Sequence, residues 1–300
     1  MKSDSRAPLA ARLPTFFLPH GGGPCFFMNA PAARAWDSLA AFLRNVPSTL
    51  PQRPQAIVVI SAHWEAAQPT VTSRVDPPLV YDYSGFPPET YTLRYDVPGS
   101  PQIAQRVIDL LAGAAIVAAA DEVRGLDHGV FIPFMLIEPA ADIPIVELSL
   151  IAGLDAAAHL RVGAALAPLR DEGILIVGSG MSYHNMRGFG QSPAAGSDTF
   201  DAWLTQTALA EPSTRTQRLR AWENAPAARL AHPRAEHLLP LMVAAGAAGD
   251  DRGTHALRTV SSARRSRVTG SADAVAFELH RRRRQSAEIT YAPPRSMRAA

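Results

Sequence analysis

Imidazole in its neutral form ligates transition metals, and it also exchanges protons near neutral pH. Four of the nine histidines in this chain share one kind of setting. His20 follows the apolar run TFFLP at 15 to 19 and precedes Gly21-Gly22-Gly23-Pro24. His63 closes AIVVISA at 56 to 62, and His184 comes a few residues after ILIVGSG, in GSGMSYHN. His128 sits in Gly125-Leu126-Asp127-His128-Gly129, just ahead of another apolar run. A fifth, His237, lies in HPRAEHLLPLM. A lone histidine at a strand end is more often an ordinary hydrogen-bonding residue than a ligand. Several at strand ends point to a shared site, because ligands of open α/β sheets bind beyond the carboxyl ends of the strands. The chemistry that fits is a divalent metal held by imidazole nitrogen.

The elements that must position these residues alternate between short β-branched runs and Ala/Leu-rich helical stretches. That is the pattern of a single α/β domain with a mostly parallel or mixed sheet flanked by helices. Strands are expected over 15–19, 56–62, 143–150 and 174–177. Helices are expected over 36–44, ending before Pro47, and from Pro101 to Leu111 with Ser100 as N-cap. Others are expected over 156–169 and 202–209, and from Pro233 to about Ala245, which puts His237 one turn inside a helix and His232 at its cap. Residues 76–99 hold five aromatics and no helical period, so an ordered, loop-rich excursion is expected there. The glycines of HGGG and GSG fit neither GxGxxG nor a phosphate loop, and Gly-x-Ser-x-Gly is absent. They are read as turns that let the backbone come close to a metal site.

Composition narrows the class. At 47% hydrophobic, the 300 residues can bury one large core. The start of the chain has no signal-peptide pattern and no apolar run is long enough to span a membrane, so a soluble cytoplasmic protein is expected. The single cysteine, Cys25, rules out an internal disulfide and a Cys-rich zinc site. It is either a nucleophile or a small packing residue in a tight turn. The net charge of +2 conceals a split: residues 251–300 hold 11 arginines against 4 acids, and the first 250 hold 18 basic residues against 23 acidic. The body offers no case for nucleic-acid binding. The segment from 251 to 300, with Arg264, Arg265, Arg267 and Arg281 to Arg284, reads as a divergent or frame-shifted basic tail, partly disordered.

Seven segments together resemble one family. They are LPHGGGP (18–24), SAHW (61–64), YDYSGFPPETYTLRYDVPGSP (81–101), GLDHGVFIP (125–133), IPIVELSL (143–150), GSGMSYHN (178–185) and HPRAEHLLPL (232–241). In this order they are similar to the class III extradiol ring-cleavage dioxygenases of the 4,5-DOPA dioxygenase-like branch, over roughly residues 14 to 250. The resemblance implies that His20, His63 and His237 are metal ligands and that His184 is a further ligand or a substrate contact. It implies that His128 is the catalytic acid/base. It also implies Fe(II) for turnover, with Zn(II) able to occupy the same site, and a small catechol and O2 as reactants. Glu236, beside His237, is the alternative carboxylate ligand.

In that reading the metal acidifies a chelated catechol, and His128 takes a phenolic proton and returns it during ring opening. Asp127 either orients His128 or starts a helix. The aromatics from Tyr81 to Tyr95 either form the wall that receives the ring or simply pack as a loop. Two other functions fit the same histidines: a zinc hydrolase that activates water, and a binding protein without catalysis. Dependence on oxygen separates the first from a dioxygenase.

Overall fold

The computed structural model describes residues 11–29, 31–186, 194–259 and 272–278. Among these residues eight strands form one mixed sheet: β1 (Thr15–Pro19), β2 (Ala56–Ala66), β3 (Thr70–Thr72), β4 (Ala119–Asp121), β5 (Ile145–Ile151), β6 (Ile174–Gly180), β7 (Arg252–Thr259) and β8 (Ala272–Glu278). Their order across the sheet is β4-β3-β5-β2-β6-β1-β8-β7. The central four, β5, β2, β6 and β1, run parallel. On one flank β8 is antiparallel to β1 and β7 to β8; on the other β3 is antiparallel to β5.

The central strands read as continuous apolar runs because both faces are covered. Along β2, Ala56, Val58 and Ile60 enter one core while Ile57 and Val59 enter the other. In β6, Ile174 and Ile176 alternate in the same way with Leu175 and Val177. The first face carries α2 (Pro101–Gly113), α4 (Ala156–Leu166), α5 (Ala194–Ala208), α6 (Pro212–Arg220) and α8 (Leu239–Ala248). The second face carries α1 (Asp37–Thr49), α3 (His128–Ile137) and the aromatic excursion. A short helix, α7 (Ala228–Ala231), precedes the His237 segment. Buried Arg170 donates to the carbonyls of Ala247 and Ala248 and pairs with Asp251, closing the end of α8.

Several boundaries differ from the sequence expectation. Helix α1 runs through Pro47 to Thr49, because buried Leu39, Leu43 and Val46 hold its stripe against the core where the proline costs one hydrogen bond. Strand β2 continues past Ala62 to Ala66, so His63 lies inside a strand, at a register irregularity against β5 between Ile60 and Glu65. Such an irregularity re-aims side chains. Pro233 opens no helix: residues 233–238 are turns and α8 begins at Leu239, with Pro240 in its first turn, where the missing N–H is free. His237 therefore precedes the helix. His232 caps no helix start; it is buried at the end of α7, with its ring nitrogen 2.9 Å from the Ser182 carbonyl.

Ser100 accepts from the Ile103 N–H as the expected N-cap. After residue 250, where alternation is weak in the sequence, β7 and β8 extend the sheet. Arg264, Arg265, Arg267 and Arg281 to Arg284 lie outside the described residues. Among the described residues no helix is long and apolar enough to cross a membrane.

Candidate active site

Adjacent parallel strands β2, β6 and β1 deliver the histidines to one edge of the sheet. His20 leaves the end of β1, and its backbone N–H donates to the Gly180 carbonyl at the end of β6 (3.2 Å). Gly21 and Gly23 then take positive φ angles of 82° and 53°. A Cβ on Gly21 would lie 2.4 Å from the Cys25 sulfur, so the turn has room for glycine alone. His128 is the first residue of α3, and Asp127 is its N-cap, accepting from the Gly129 N–H (3.0 Å) and the Ser61 hydroxyl (2.7 Å). That hydrogen bonding settles Asp127 as a helix-start residue. The turn before α8 brings in His237, whose carbonyl accepts from the Met181 N–H (2.9 Å).

The rings converge. Nε2 of His63 is 3.1 Å from Nε2 of His20. The ring centres of His20, His63 and His237 form a nearly even triangle with sides of 4.9, 4.9 and 5.2 Å. His128 leans on the outside of it, 4.0 Å from His63 and 5.6 Å from His20. By ligand-atom distance the grouping differs from that of the ring centres: His20, His63 and His128 form one cluster, and His184, Glu236 and His237 form a second. His184 stacks on His237 with 3.3 Å between centroids and 15° between planes.

On each ring Nδ1 has a partner on the side away from the cluster. His20 Nδ1 lies 3.0 Å from Ser179 Oγ, and that hydroxyl donates to the Gly129 carbonyl. The Ser179 oxygen therefore accepts, which makes His20 the Nδ1–H tautomer with its Nε2 lone pair inward. His63 Nδ1 lies 3.4 Å from Asp82 Oδ2, and His128 Nδ1 lies 2.7 Å from Asp82 Oδ1. His237 and His184 share Glu236 Oε1, at 3.1 and 3.2 Å. Glu236 thus supports two imidazoles from behind, and its second oxygen faces Arg234 at 3.5 Å.

Burial, followed by the mutual proximity of the rings, lowers the His20 pKa well below its ordinary value. Burial and the neighbouring His128 take His63 down to about 4. Burial takes His237 to about 3 against the opposing hydrogen bond to Glu236. All three are neutral at pH 7. Burial pulls the Glu236 and Asp82 carboxyls upward, but hydrogen bonds from His184 and His237 to Glu236, and from His128 to Asp82, outweigh it and hold both below the usual range.

The excursion over 76–99 is ordered as expected. A parallel bridge joins Leu79 to Leu126, and the hydroxyls of Tyr81, Tyr83 and Tyr95 donate to the carbonyls of Leu93, Thr90 and Glu138. Tyr83 stands edge-on to His128 at 5.6 Å and packs against Phe86, Tyr91 and Phe131. Cys25 is buried, which pushes its thiol up to about 12. Asp82 and Ser179 are the site residues that the sequence reading missed. Nothing local marks Asp82 within YDYSG, and Ser179 was hidden in a glycine motif.

Residues 14–276 match the family described as the catalytic LigB subunit of aromatic ring-opening dioxygenase. The chain belongs to that family. It is an extradiol ring-cleaving dioxygenase of the class III type, and relatives bear the family out. The chain is 42% identical over 244 residues to a 4,5-DOPA dioxygenase extradiol of Beta vulgaris, covering 79% of this chain and 87% of that one. It is 36% identical over 242 residues to a 4,5-DOPA dioxygenase extradiol of Escherichia coli K12, covering 79% and 86%. It is 39% identical over 257 residues to the dioxygenase tasH of Hapsidospora irregularis, covering 79% of each. The crystal structure of an uncharacterized protein from Escherichia coli K12 superposes with a TM-score of 0.71 at 31% identity, covering 89% of this chain and all of that one.

Proposed function

We propose that this LigB-family enzyme opens the ring of a catechol with O2, using Fe(II) held by His20, His63 and His237, with His128 as acid/base. The observation that carries the metal assignment is the 3.1 Å approach of two Nε2 atoms. His20 has Nδ1 on an acceptor, and both rings are neutral at pH 7; in this reading His63 carries its proton on the Nδ1 that faces Asp82, so two lone pairs face each other. Such a contact is repulsive unless a cation sits between them. Two nitrogens about 2.1 Å from one ion, and roughly at right angles, stand about 3 Å apart. The donor set fits a borderline divalent metal.

His237 is preferred over His128 as third ligand because it completes the even triangle, whereas His128 lies closer to one corner than to the other. His184, stacked on His237, is in this reading a substrate contact. Bound there, Fe(II) supplies the charge that acidifies a chelated catechol and the redox link between ring and dioxygen that zinc lacks. This chain's residues do the rest. His128 Nε2, on the side away from Asp82, accepts a phenolic proton and later returns it. The Tyr83 face and its aromatic neighbours form the wall that receives the ring and keeps water out.

The test is reconstitution with Fe(II) in air and a panel of catechols, followed by the absorbance of yellow ring-opened products. Product should require both Fe(II) and oxygen. Absence of product from every catechol in iron-loaded protein would refute the substrate assignment. Turnover that persists without oxygen would point to hydrolysis.

A further inference from the structure

We infer that Asp82 is a positioning residue shared by His63 and His128, one carboxylate oxygen to each ring, which holds both as Nδ1–H tautomers so that both Nε2 atoms face the reacting space. The inference rests on the ligand and acid/base roles proposed above for those two histidines. Oδ1 lies 2.7 Å from His128 Nδ1 and also accepts the His128 backbone N–H at 3.0 Å. Oδ2 lies 3.4 Å from His63 Nδ1. The two rings are 4.0 Å apart, so a single carboxylate sets the angle between them.

The carboxylate stands behind the Nδ1 edges, on the side of the His63 ring opposite the Nε2 that faces His20, so it cannot serve as a ligand with these imidazoles. Its own placement is rigid. The Asp82 N–H donates to the Val80 carbonyl (3.0 Å), and its flanking tyrosines are tied by their hydroxyls to Leu93 and Thr90. The segment that forms the aromatic wall therefore also orients the base.

When His128 takes a phenolic proton at Nε2, its original proton stays on Nδ1 and Asp82 remains a carboxylate that stabilises the imidazolium. No proton passes to Asp82. Fixing a tautomer and stabilising the imidazolium from behind is a general contribution of such carboxylates to imidazole bases. A carboxylate behind a metal-bound imidazole also raises metal affinity, typically by roughly 10- to 100-fold.

The experiment compares wild-type full-length protein with Asp82→Asn and Asp82→Glu. Long-range 15N–1H spectra of the metal-free proteins report each imidazole tautomer without reference to turnover. Wild type and Asp82→Glu should show His63 and His128 as Nδ1–H, whereas Asp82→Asn, whose Oδ1 still accepts from His128 while its amide nitrogen faces His63 Nδ1, should lose that signature at His63. After iron loading, Asp82→Asn should lose about 100-fold in kcat with little change in KM, and should bind Fe(II) about 10-fold more weakly. An Asp82→Asn protein with the wild-type tautomer and kcat overturns the inference. If that variant does not fold, the wild-type spectra decide alone: Nδ1–H at both His63 and His128 supports the shared role, and Nε2–H at either ring refutes it. If wild type cleaves no catechol, the proposed function fails, and the spectra still judge Asp82.

Discussion

Gly180 and His237 meet backbone to backbone: a Cβ placed on Gly180 would stand 2.2 Å from the His237 carbonyl oxygen. The same carbonyl accepts from the Met181 N–H, so the end of β6 holds the turn that carries the proposed third ligand. Gly178 stands in the same relation to the Pro240 carbonyl, at 2.3 Å. The motif GSG is thus a close-approach surface, with Ser179 turned to His20.

Gly180→Ala should therefore push the His237 turn off the sheet. Overpacking of this kind costs about 1–3 kcal/mol. We expect a folded protein with a lower melting temperature and metal content reduced well below that of wild type, read by elemental analysis after equal loading. Undiminished metal content in this variant contradicts the positioning of His237 by β6.

His63→Ala and His128→Ala should separate two roles that distance alone does not. The first should lose the metal. The second should keep it and lose about 100- to 10,000-fold in turnover, the usual range for a positioned acid/base. Metal titration and steady-state assays on the two variants check this, and an exchange of phenotypes would reverse the assignment of ligand and base.

Cys25 should be inert. Burial pushes its thiol up to about 12, so almost no thiolate exists at pH 8 to 9. Iodoacetamide should label the native protein slowly across that range and label the denatured chain quickly. Cys25→Ser should retain turnover, since the thiol packs against the Gly21 turn and away from any proton transfer.

The metal-free protein should be sensitive to acid. His63, His237 and His232 have native pKa values of about 4, 3 and 4, against an ordinary 6.5. Between those limits the unfolded chain binds protons that the native state does not. The stability they contribute is complete above pH 6.5 and is lost as the pH falls toward 4. Melting temperatures of metal-free protein should fall steadily from pH 7 to 4.5, and a flat profile would show that these rings are not held neutral.

The local signals in the sequence were those of short range. The continuous apolar runs AIVVISA and ILIV are visible because strands buried on both faces must be apolar at every position, and Ser100-Pro101 marks a helix start by its own chemistry. Signals that depend on a remote partner were not legible. His237 was expected inside a helix because Pro233 favours one, but the backbone of 237 and 240 is drawn against the glycines of β6. Asp127 was a candidate orienter of His128 because it is adjacent in sequence, whereas Asp82, 46 residues away, holds that place.

Residue order and composition carry the α/β domain, the resemblance to extradiol dioxygenases and the histidines at strand ends, where such sheets bind ligands. Which nitrogen a ring presents is set by the folded chain. A tautomer follows from the acceptor behind the ring, and for His20 and His128 that acceptor comes from another strand or loop.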